Sequence, residues 1–395
     1  MRKIFLPRLQ LPRTVIILGL VSFLNDAASE MITPLLPIFL TAMLGAGPAV
    51  VGLVEGFAEA SASVLKFVSG RLADRGWNAK GMVVGGYSLS NSARPLIGLA
   101  FGWSAVFLLR FLDRVGKGLR TSPRDALISA SVDSRLRGRA FGFHRALDHG
   151  GAVVGPLLAF ALLGSGVELT HVFLLSVVPG ILVILLLWFG LPPSPKTTIT
   201  QQSMMAFGWS GLDTRLRALI LATAGLALAT TPEVFLVLWA QAHGLEIVWI
   251  PLLWAAASAV KMLIALPGGY LSDRFGRLPI LLVGWGARIL VLITLGITAT
   301  SELTIWGLFL AYAASLAFTE GAERALIGDY APAGEKATAF GVYHMTSGLL
   351  ALPGAVLFGA LWQWFGEAIA FLTAAGLTTL SVIVLLMITS KHGKK

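Results

Sequence analysis

Twelve long apolar runs, separated by short polar loops, follow one another along almost the whole chain. A helix that crosses a bilayer needs about 20 apolar residues, and 56% of the 395 residues are hydrophobic while only 13% are charged. Soluble domains carry nearer a quarter charged residues, so we predict an all-α membrane protein. The predicted spans are 14–44, 49–74, 79–101, 104–122, 137–163, 168–190, 214–242, 248–272, 278–299, 303–328, 336–364 and 367–389.

Lys and Arg occur only in alternate loops between these spans. Loops that are rich in Lys and Arg remain in the cytoplasm, so both termini are predicted to be cytoplasmic. The predicted location is the cell membrane, and specifically a bacterial inner membrane. The placement also explains the net charge of +10 without a nucleic-acid partner. The opposite loops, which contain no Lys or Arg, lie near 45–49, 101–104, 164–168, 243–246, 298–302 and 365–367.

The sequence contains an internal repeat. GRLADR at 70–75 returns as GYLSDR at 269–274, and AFGFHR at 140–145 returns as AFGVYH at 339–344, both 199 residues further on. We therefore predict two six-helix bundles, 1–190 and 214–395, joined by a polar cytoplasmic linker, 191–213. An even number of helices gives both units the same orientation, and such parallel repeats are typical of transporters with a site between the halves.

Several segments resemble the major facilitator superfamily. GRLADRGWNAK and GYLSDRFGR are similar to its loop signature G-x-L-x-D-R-x-G-R-K, RFLDRVGKG resembles its fourth-helix motif, and GAVVGPLLA resembles the fifth-helix signature of its drug/proton antiporters. The chain departs from these patterns at Trp77, Arg114 and Ala159, each of which replaces a glycine. The resemblance implies twelve helices in two bundles that rock about a central cavity, with transport as the activity.

Ionisable residues inside the predicted spans are candidate functional groups, because burying a charge in a bilayer is costly. A proton-coupled transporter needs a buried carboxylate that takes up a proton on one side and releases it on the other. Glu30 is the first choice and Asp26 the second, with Arg110 as the cation that competes with the proton. The predicted coupling residues are Asp26, Glu30, Arg110 and Asp148.

A cavity that carries charges of both signs suits an amphipathic organic molecule with a polar head. Glu233, with Phe235 and Trp239 nearby, is the expected substrate contact. His144 and His344 are either neutral, hydrogen-bonded residues or proton carriers. The predicted cavity residues are Glu59, Arg114, His144, Arg145, Glu233, Phe235, Trp239, Lys261, Glu320 and His344.

The resemblance also implies a latch across the cytoplasmic face, in which Asp74 pairs with Arg120 or Arg124 and Asp273 pairs with Arg324. The alternative is that these are solvated loop charges. The residues of the predicted latch are Gly70, Asp74, Arg75, Arg120, Arg124, Gly269, Asp273, Arg274 and Arg324. In the fifth predicted span, Gly151, Gly155 and Pro156 allow close helix packing and a local bend. These residues serve either the coupling of transport to protons or packing alone.

The sequence thus predicts a proton-coupled secondary transporter that exports a small amphipathic organic compound by alternating access. The main alternative is a proton symporter that imports an organic anion, with Arg110, Arg114, Arg145 and Lys261 as clamps. A membrane sensor is less favoured, and an enzyme is opposed by the absence of nucleotide-binding, HExxH and serine-elbow motifs. We expect the lipid bilayer, protons and a small-molecule substrate as partners, a monomer, and neither a cofactor nor a metal.

Overall fold

A computed structural model describes residues 11–74, 77–132, 137–192, 214–229, 231–297, 301–330 and 336–390, and these contain helices and turns but no strand. The first half contains α1 (Arg13–Ile32), α2 (Leu36–Ile38), α3 (Pro48–Asp74), α4 (Ala79–Leu96), α5 (Trp103–Ala130), α6 (Arg137–Gly164), α7 (Leu169–Leu175) and α8 (Val177–Gly190). The second half contains α9 (Thr214–Ala229), α10 (Glu233–Ala242), α11 (Ile250–Phe275), α12 (Arg277–Ile297), α13 (Glu302–Tyr330), α14 (Lys336–Phe365) and α15 (Glu367–Ser390).

Three of the predicted spans are interrupted helices. Pro34 follows the end of α1, and Pro232 immediately precedes α10; proline lacks the backbone donor that a continuous helix needs. At the second break the Tyr312 hydroxyl donates to the carbonyl oxygen of Thr231 at 2.7 Å, which satisfies an acceptor freed by the interruption. The third interruption, between α7 and α8, is a turn at Ser176.

Ten helical stretches of the described residues are long and apolar enough to cross a membrane. The two predicted spans outside this set lie in α4 and α5, where buried charges such as Arg94 and Asp113 reduce the hydropathy. Helix α5 also continues to Ala130, beyond the predicted end at residue 122, because its charged final turns are helical without being apolar. The count of twelve spans and the cytoplasmic termini therefore remain predictions.

The two predicted halves meet along α3 and α14 and along α6 and α11. We call the first of these contacts the interhalf seam. A Cβ atom on Gly52 would lie 2.2 Å from the carbonyl oxygen of Ala355, and one on Gly359 would lie 2.5 Å from that of Pro48. Glycine is needed at these positions because it lets the two helix backbones approach closely.

The largest core cluster draws residues from both halves, including Phe39 just after α2 and Phe235 in α10. The Phe235 and Phe358 rings lie 4.8 Å apart, and Phe160 packs against Trp249 across the halves at 5.5 Å. This cluster lies at the end of the bundle whose loops contain no Lys or Arg. The halves are therefore packed together at the predicted non-cytoplasmic end.

Substituting Gly52 with alanine should force α3 away from α14 and open this end of the bundle. The added methyl group has no room, since its nearest neighbour is backbone at 2.2 Å. The chain has no cysteine, so a single cysteine at position 49, introduced as Ala49→Cys, reports opening through labelling by a membrane-impermeant maleimide. We expect faster labelling in the Gly52→Ala background, whereas Gly85→Ala, with no atom within 4 Å of the new Cβ, should leave it unchanged. Equal labelling in both backgrounds would contradict the role of the seam.

Candidate transport site

A buried cluster of charges joins α3, α4 and α5. Asp113 accepts a hydrogen bond from Arg94 Nε at 2.8 Å and another from Arg110 Nη1 at 3.5 Å. Arg110 also donates to both carboxylate oxygens of Glu55, at 2.9 and 3.1 Å. Arg94 and Arg110 are 1% exposed and Asp113 is fully buried. We call Glu55, Arg94, Arg110 and Asp113 the ion cluster; breaking such a buried pair is strongly unfavourable.

The ion cluster is tied to α1 through Asn25. Arg94 Nη1 donates to the side-chain oxygen of Asn25 at 3.0 Å and to its backbone oxygen at 3.2 Å. The direct carboxylate partners of Arg110 are thus Glu55 and Asp113. The expected competition between Arg110 and a proton at Glu30 has no direct contact to support it in this conformation.

Two carboxylates meet between α1 and α6. Asp148 accepts a hydrogen bond from the Ser22 hydroxyl at 2.6 Å and pairs with Arg145 at 3.3 Å. Asp26 lies one helical turn beyond Ser22 on α1 and accepts a bond from Asn25 Nδ2 at 3.0 Å. Neighbouring carboxylates repel each other when both are ionised, and they are stabilised when they share one proton. We call Asp26 and Asp148 the carboxylate pair.

Close packing of α6 on α1 brings the carboxylate pair together. A Cβ atom on Gly151 would lie 2.2 Å from the carbonyl oxygen of Phe23, and one on Gly155 would lie 2.4 Å from that of Ala27. The motif glycines therefore lie on the α1 face of α6, and Pro156 lies inside the same helix.

A chain of polar contacts crosses between the halves. The Trp254 indole nitrogen of α11 donates to the Glu30 carboxylate of α1 at 2.9 Å. Lys261 Nζ lies 5.9 Å from the centre of the Trp254 ring and donates to both carboxylate oxygens of Glu233, at 2.9 and 2.8 Å. Glu30 and Glu233 are thus linked through one tryptophan and one lysine.

The repeat places different chemistry at equivalent positions of the two halves. At the 199-residue offset, Glu55 corresponds to Trp254 and Arg110 corresponds to Phe309. The ion pair of the first half is replaced in the second half by an aromatic contact with ring centres 6.3 Å apart. The two halves therefore carry different side chains at equivalent positions, with the carboxylate pair in the first half.

Side chains of the second half line a partly open cavity of about 280 Å³, which we call the C-half cavity. Two of the predicted cavity residues, Lys261 and Glu320, line it. Arg288 of α12 and Glu323 of α13 also line it; sequence reasoning did not select either as a site residue.

Phe235 and Trp239, which were predicted to line the substrate cavity, are fully buried in the core cluster of the closed end. Their apolar rings serve packing between helices in this conformation. Glu59 is exposed, in agreement with a position at a cavity surface. Arg114 is 8% exposed and lies 3.9 Å from Asp113, so it borders the ion cluster. His144 is 1% exposed, and its Nε2 has no hydrogen-bond partner within the described part of the chain.

Several predicted latch residues lie outside the described side chains, and the latch remains a prediction. Both candidate partners of Asp74 have other contacts: Arg120 donates to the Ser90 hydroxyl at 2.6 Å, and Arg124 pairs with Asp125 at 2.9 Å. Gly70 lies near Ser122 of α5, and Arg274 is exposed over the ring of Phe275. The latch and cavity residues whose side chains are not described are Asp74, Arg75, Gly269, Asp273, Arg324 and His344.

The sequence carried signals for two of the missed residues. Trp254 is the repeat equivalent of Glu55, so the 199-residue offset would have marked it. Arg288 is the one charged residue in the interior of an otherwise apolar predicted span, and such an isolated charge is by itself a sign of function.

Comparison with known proteins places the chain in a family. The family model described as Major Facilitator Superfamily matches residues 18–350 and again 255–395. An uncharacterized MFS-type transporter of Methanocaldococcus jannaschii is 32% identical over 388 residues, which cover 96% of each chain. A multidrug resistance protein, MdtH, of an Enterobacter species is 32% identical over 133 residues, covering 34% of this chain and 33% of its own.

Solved structures share the fold. A bacterial homologue of the human lysosomal transporter Spinster, in an inward-facing and occupied conformation, superposes with a TM-score of 0.80. Its sequence is 18% identical, and the match covers 95% of this chain and 96% of that one. With its membrane-spanning helices, its repeat and these matches over nearly the whole length, the chain belongs to the major facilitator superfamily and is a multi-pass membrane transporter rather than an enzyme.

Proposed function

We propose that the protein is a proton-coupled antiporter that exports a small amphipathic organic compound by alternating access. The carboxylate pair, Asp26 and Asp148, is the observation that carries this proposal: Asp148 of α6 accepts a 2.6 Å hydrogen bond from Ser22 of α1, one helical turn before Asp26. Two adjacent carboxylates in a partly buried site hold one proton readily and lose it when binding of the substrate changes the charges around them. Such a site can exchange a proton for a substrate.

Three of the four cations predicted to clamp an organic anion are engaged with carboxylates of the protein, which favours export over uptake of such an anion. An anion importer needs cationic groups that are free to clamp a carboxylate or phosphate. Arg110, Arg145 and Lys261 instead pair with carboxylates of the protein at 2.9, 3.3 and 2.8 Å. The local similarity to a multidrug resistance protein also supports export.

The contact between Glu30 and Trp254 links proton binding to the movement of the halves. The indole donates to a carboxylate oxygen, and a hydrogen bond to a charged acceptor is stronger than one to a neutral acceptor. Protonation of Glu30 weakens this link and so favours separation of α1 from α11. The halves are packed at the predicted non-cytoplasmic end, so the proposed cavity faces the cytoplasm, where an exported compound binds.

Proteoliposomes with an acidic interior and an internal pH dye test the proposed function. A panel of organic amines, organic acids and zwitterions is added outside, and we expect at least one compound to dissipate the gradient in a protein-dependent manner. Acidification of the lumen during uptake from an acidic exterior would instead establish symport and overturn antiport. Transport that is unaffected by the pH gradient would overturn proton coupling altogether.

Substituting Glu30 with glutamine should slow proton-coupled transport by roughly tenfold, since a charge-assisted hydrogen bond contributes about 1.5–3 kcal/mol. Trp254→Phe, which keeps the ring but removes the donor, should show a similar loss. The control is Trp364→Phe, at a side chain that is 71% exposed, which should transport at the wild-type rate. Wild-type coupling in a correctly folded Glu30→Gln variant would exclude Glu30 from the mechanism.

A further inference from the structure

The C-half cavity is built entirely from the second half of the chain. Its lining residues come from α9, α11, α12, α13 and α14. Helix α12 contributes Arg288 to its wall. The cavity therefore has a cationic group on its wall.

Arg288 has hydrogen-bonding capacity that the protein leaves unused. The side chain is 3% exposed, and its contact with the Thr319 hydroxyl, at 3.4 Å from Nη2, is long. Its Nε has no hydrogen-bond partner among the described residues. A buried donor without a partner costs about 1–3 kcal/mol, and more when the group is charged. An acidic group bound in the cavity would remove this cost.

Carboxylates of α13 also line the C-half cavity. Glu323 accepts hydrogen bonds from the Trp285 indole at 3.0 Å and from the Tyr343 hydroxyl at 3.3 Å. Both of these donors are neutral, so they leave the negative charge of the carboxylate in place. Each carboxylate oxygen has two lone pairs, so Glu323 can still accept from a ligand, and Glu320 of the same helix also lines the cavity.

Lys261 does not replace Arg288 as the anion-binding group. Its ammonium group lines the cavity but already donates to both carboxylate oxygens of Glu233. Arg288 is therefore the cation that lines this cavity with a donor left for a ligand, among the described residues.

We propose that the C-half cavity binds the transported compound, and that this compound is a small zwitterion. Its acidic group, a carboxylate or a phosphate, contacts Arg288, and its ammonium group contacts Glu323. A volume of about 280 Å³ lies at the lower end of small-molecule pockets, so the ligand is closer in size to an amino acid than to a large drug. The inference rests on the proposed function only for the statement that the bound compound is transported.

A matched series of ligands tests the charge requirement. Purified protein in nanodiscs is titrated with 6-aminohexanoate, hexanoate, hexylamine and hexanol, and binding is followed by the rise in melting temperature. Three- and four-carbon amino acids and 3-aminopropylphosphonate extend the series in length and acidic group. We expect a zwitterion of the series to bind roughly tenfold or more tightly than the analogues with one charge or none, since each charged contact contributes about 1.5–3 kcal/mol.

Variants of both charged groups locate the binding. Arg288→Gln should weaken zwitterion binding by roughly tenfold while leaving the affinity for hexylamine unchanged, and Arg288→Lys should restore part of the loss. Glu323→Gln should make the zwitterion bind no more tightly than hexanoate, which provides a second test if Arg288→Gln fails to fold. Arg13→Gln, at an exposed position, is the control and should bind as the wild type does.

Three results would overturn the inference: no zwitterion of the series binds, hexylamine binds as tightly as 6-aminohexanoate, or Arg288→Gln and Glu323→Gln both keep wild-type affinity. The pH-gradient assay decides the proposed function separately. Proton antiport of another compound, without zwitterion binding, would overturn the zwitterion site alone. Zwitterion binding without proton movement would overturn antiport and leave the site in place.

Discussion

Substituting Asp113 with asparagine should destabilise the protein by roughly 3–5 kcal/mol, which is typical of removing one partner from a buried ion pair. Asp113 is fully buried and accepts hydrogen bonds from two arginines, with Arg114 at 3.9 Å. After the substitution, Glu55 is the one carboxylate left in the ion cluster to balance these guanidinium groups. Unfolding in mixed micelles titrated with denaturing detergent measures the change in the free energy of unfolding.

The matched control for this substitution is Asp125→Asn. Asp125 also pairs with an arginine, at 2.9 Å, but its side chain is 41% exposed, and pairs near a surface contribute about 0–1 kcal/mol. The double variant Arg94→Leu/Asp113→Leu should be less destabilised than the sum of its single variants, because it leaves fewer unpaired buried charges. Equal effects of Asp113→Asn and Asp125→Asn would contradict the structural role of the ion cluster.

Substituting Asp26 with asparagine should abolish accumulation of substrate against its gradient while preserving exchange of substrate for substrate. An amide at this position keeps the size of the carboxylate and can donate a hydrogen bond, but it does not take up or release a proton in the physiological range. The carrier can then complete the exchange cycle with substrate on both sides, while the pH gradient no longer drives it. Counterflow and pH-driven uptake into inside-out vesicles measure the two activities.

Ser22→Ala provides the control for the carboxylate pair. This variant removes the 2.6 Å hydrogen bond to Asp148 but keeps both carboxylates, so pH-driven accumulation should persist with a changed apparent affinity. Accumulation at the wild-type level in Asp26→Asn would show that the proton is carried elsewhere, and Asp148→Asn would then be the first variant to measure.

Hydropathy and the repeat predicted most of the architecture, because both depend on features spread over many residues. The helical bundle and the membership of the superfamily are confirmed by the family model and the structural similarity. The interruptions of the helices were missed, although Pro34 and Pro232 marked two of them. An apolar run shows where a span lies, but it does not show whether each backbone group within it is paired.

The partners of the charged residues were harder to predict, since they depend on the rotation and depth of helices that are distant in sequence. Glu30 and Trp254 are 224 residues apart, and no periodicity within either helix indicates their contact. Arg110 was assigned to Glu30 because both lie in predicted spans, yet its contacts are with Glu55 and Asp113. Phe235 and Trp239 were assigned to the cavity from their proximity in sequence to Glu233, but their side chains point into the packed core.

Proton release on binding tests the exchange at the carboxylate pair most directly. Purified protein in a weakly buffered solution is mixed with a compound identified in the proteoliposome panel, and the pH of the solution is followed. Exchange at the carboxylate pair predicts that saturating compound releases protons from the wild-type protein and from Ser22→Ala, but not from Asp26→Asn. Binding of the compound to the wild-type protein without proton release would contradict proton antiport at this site.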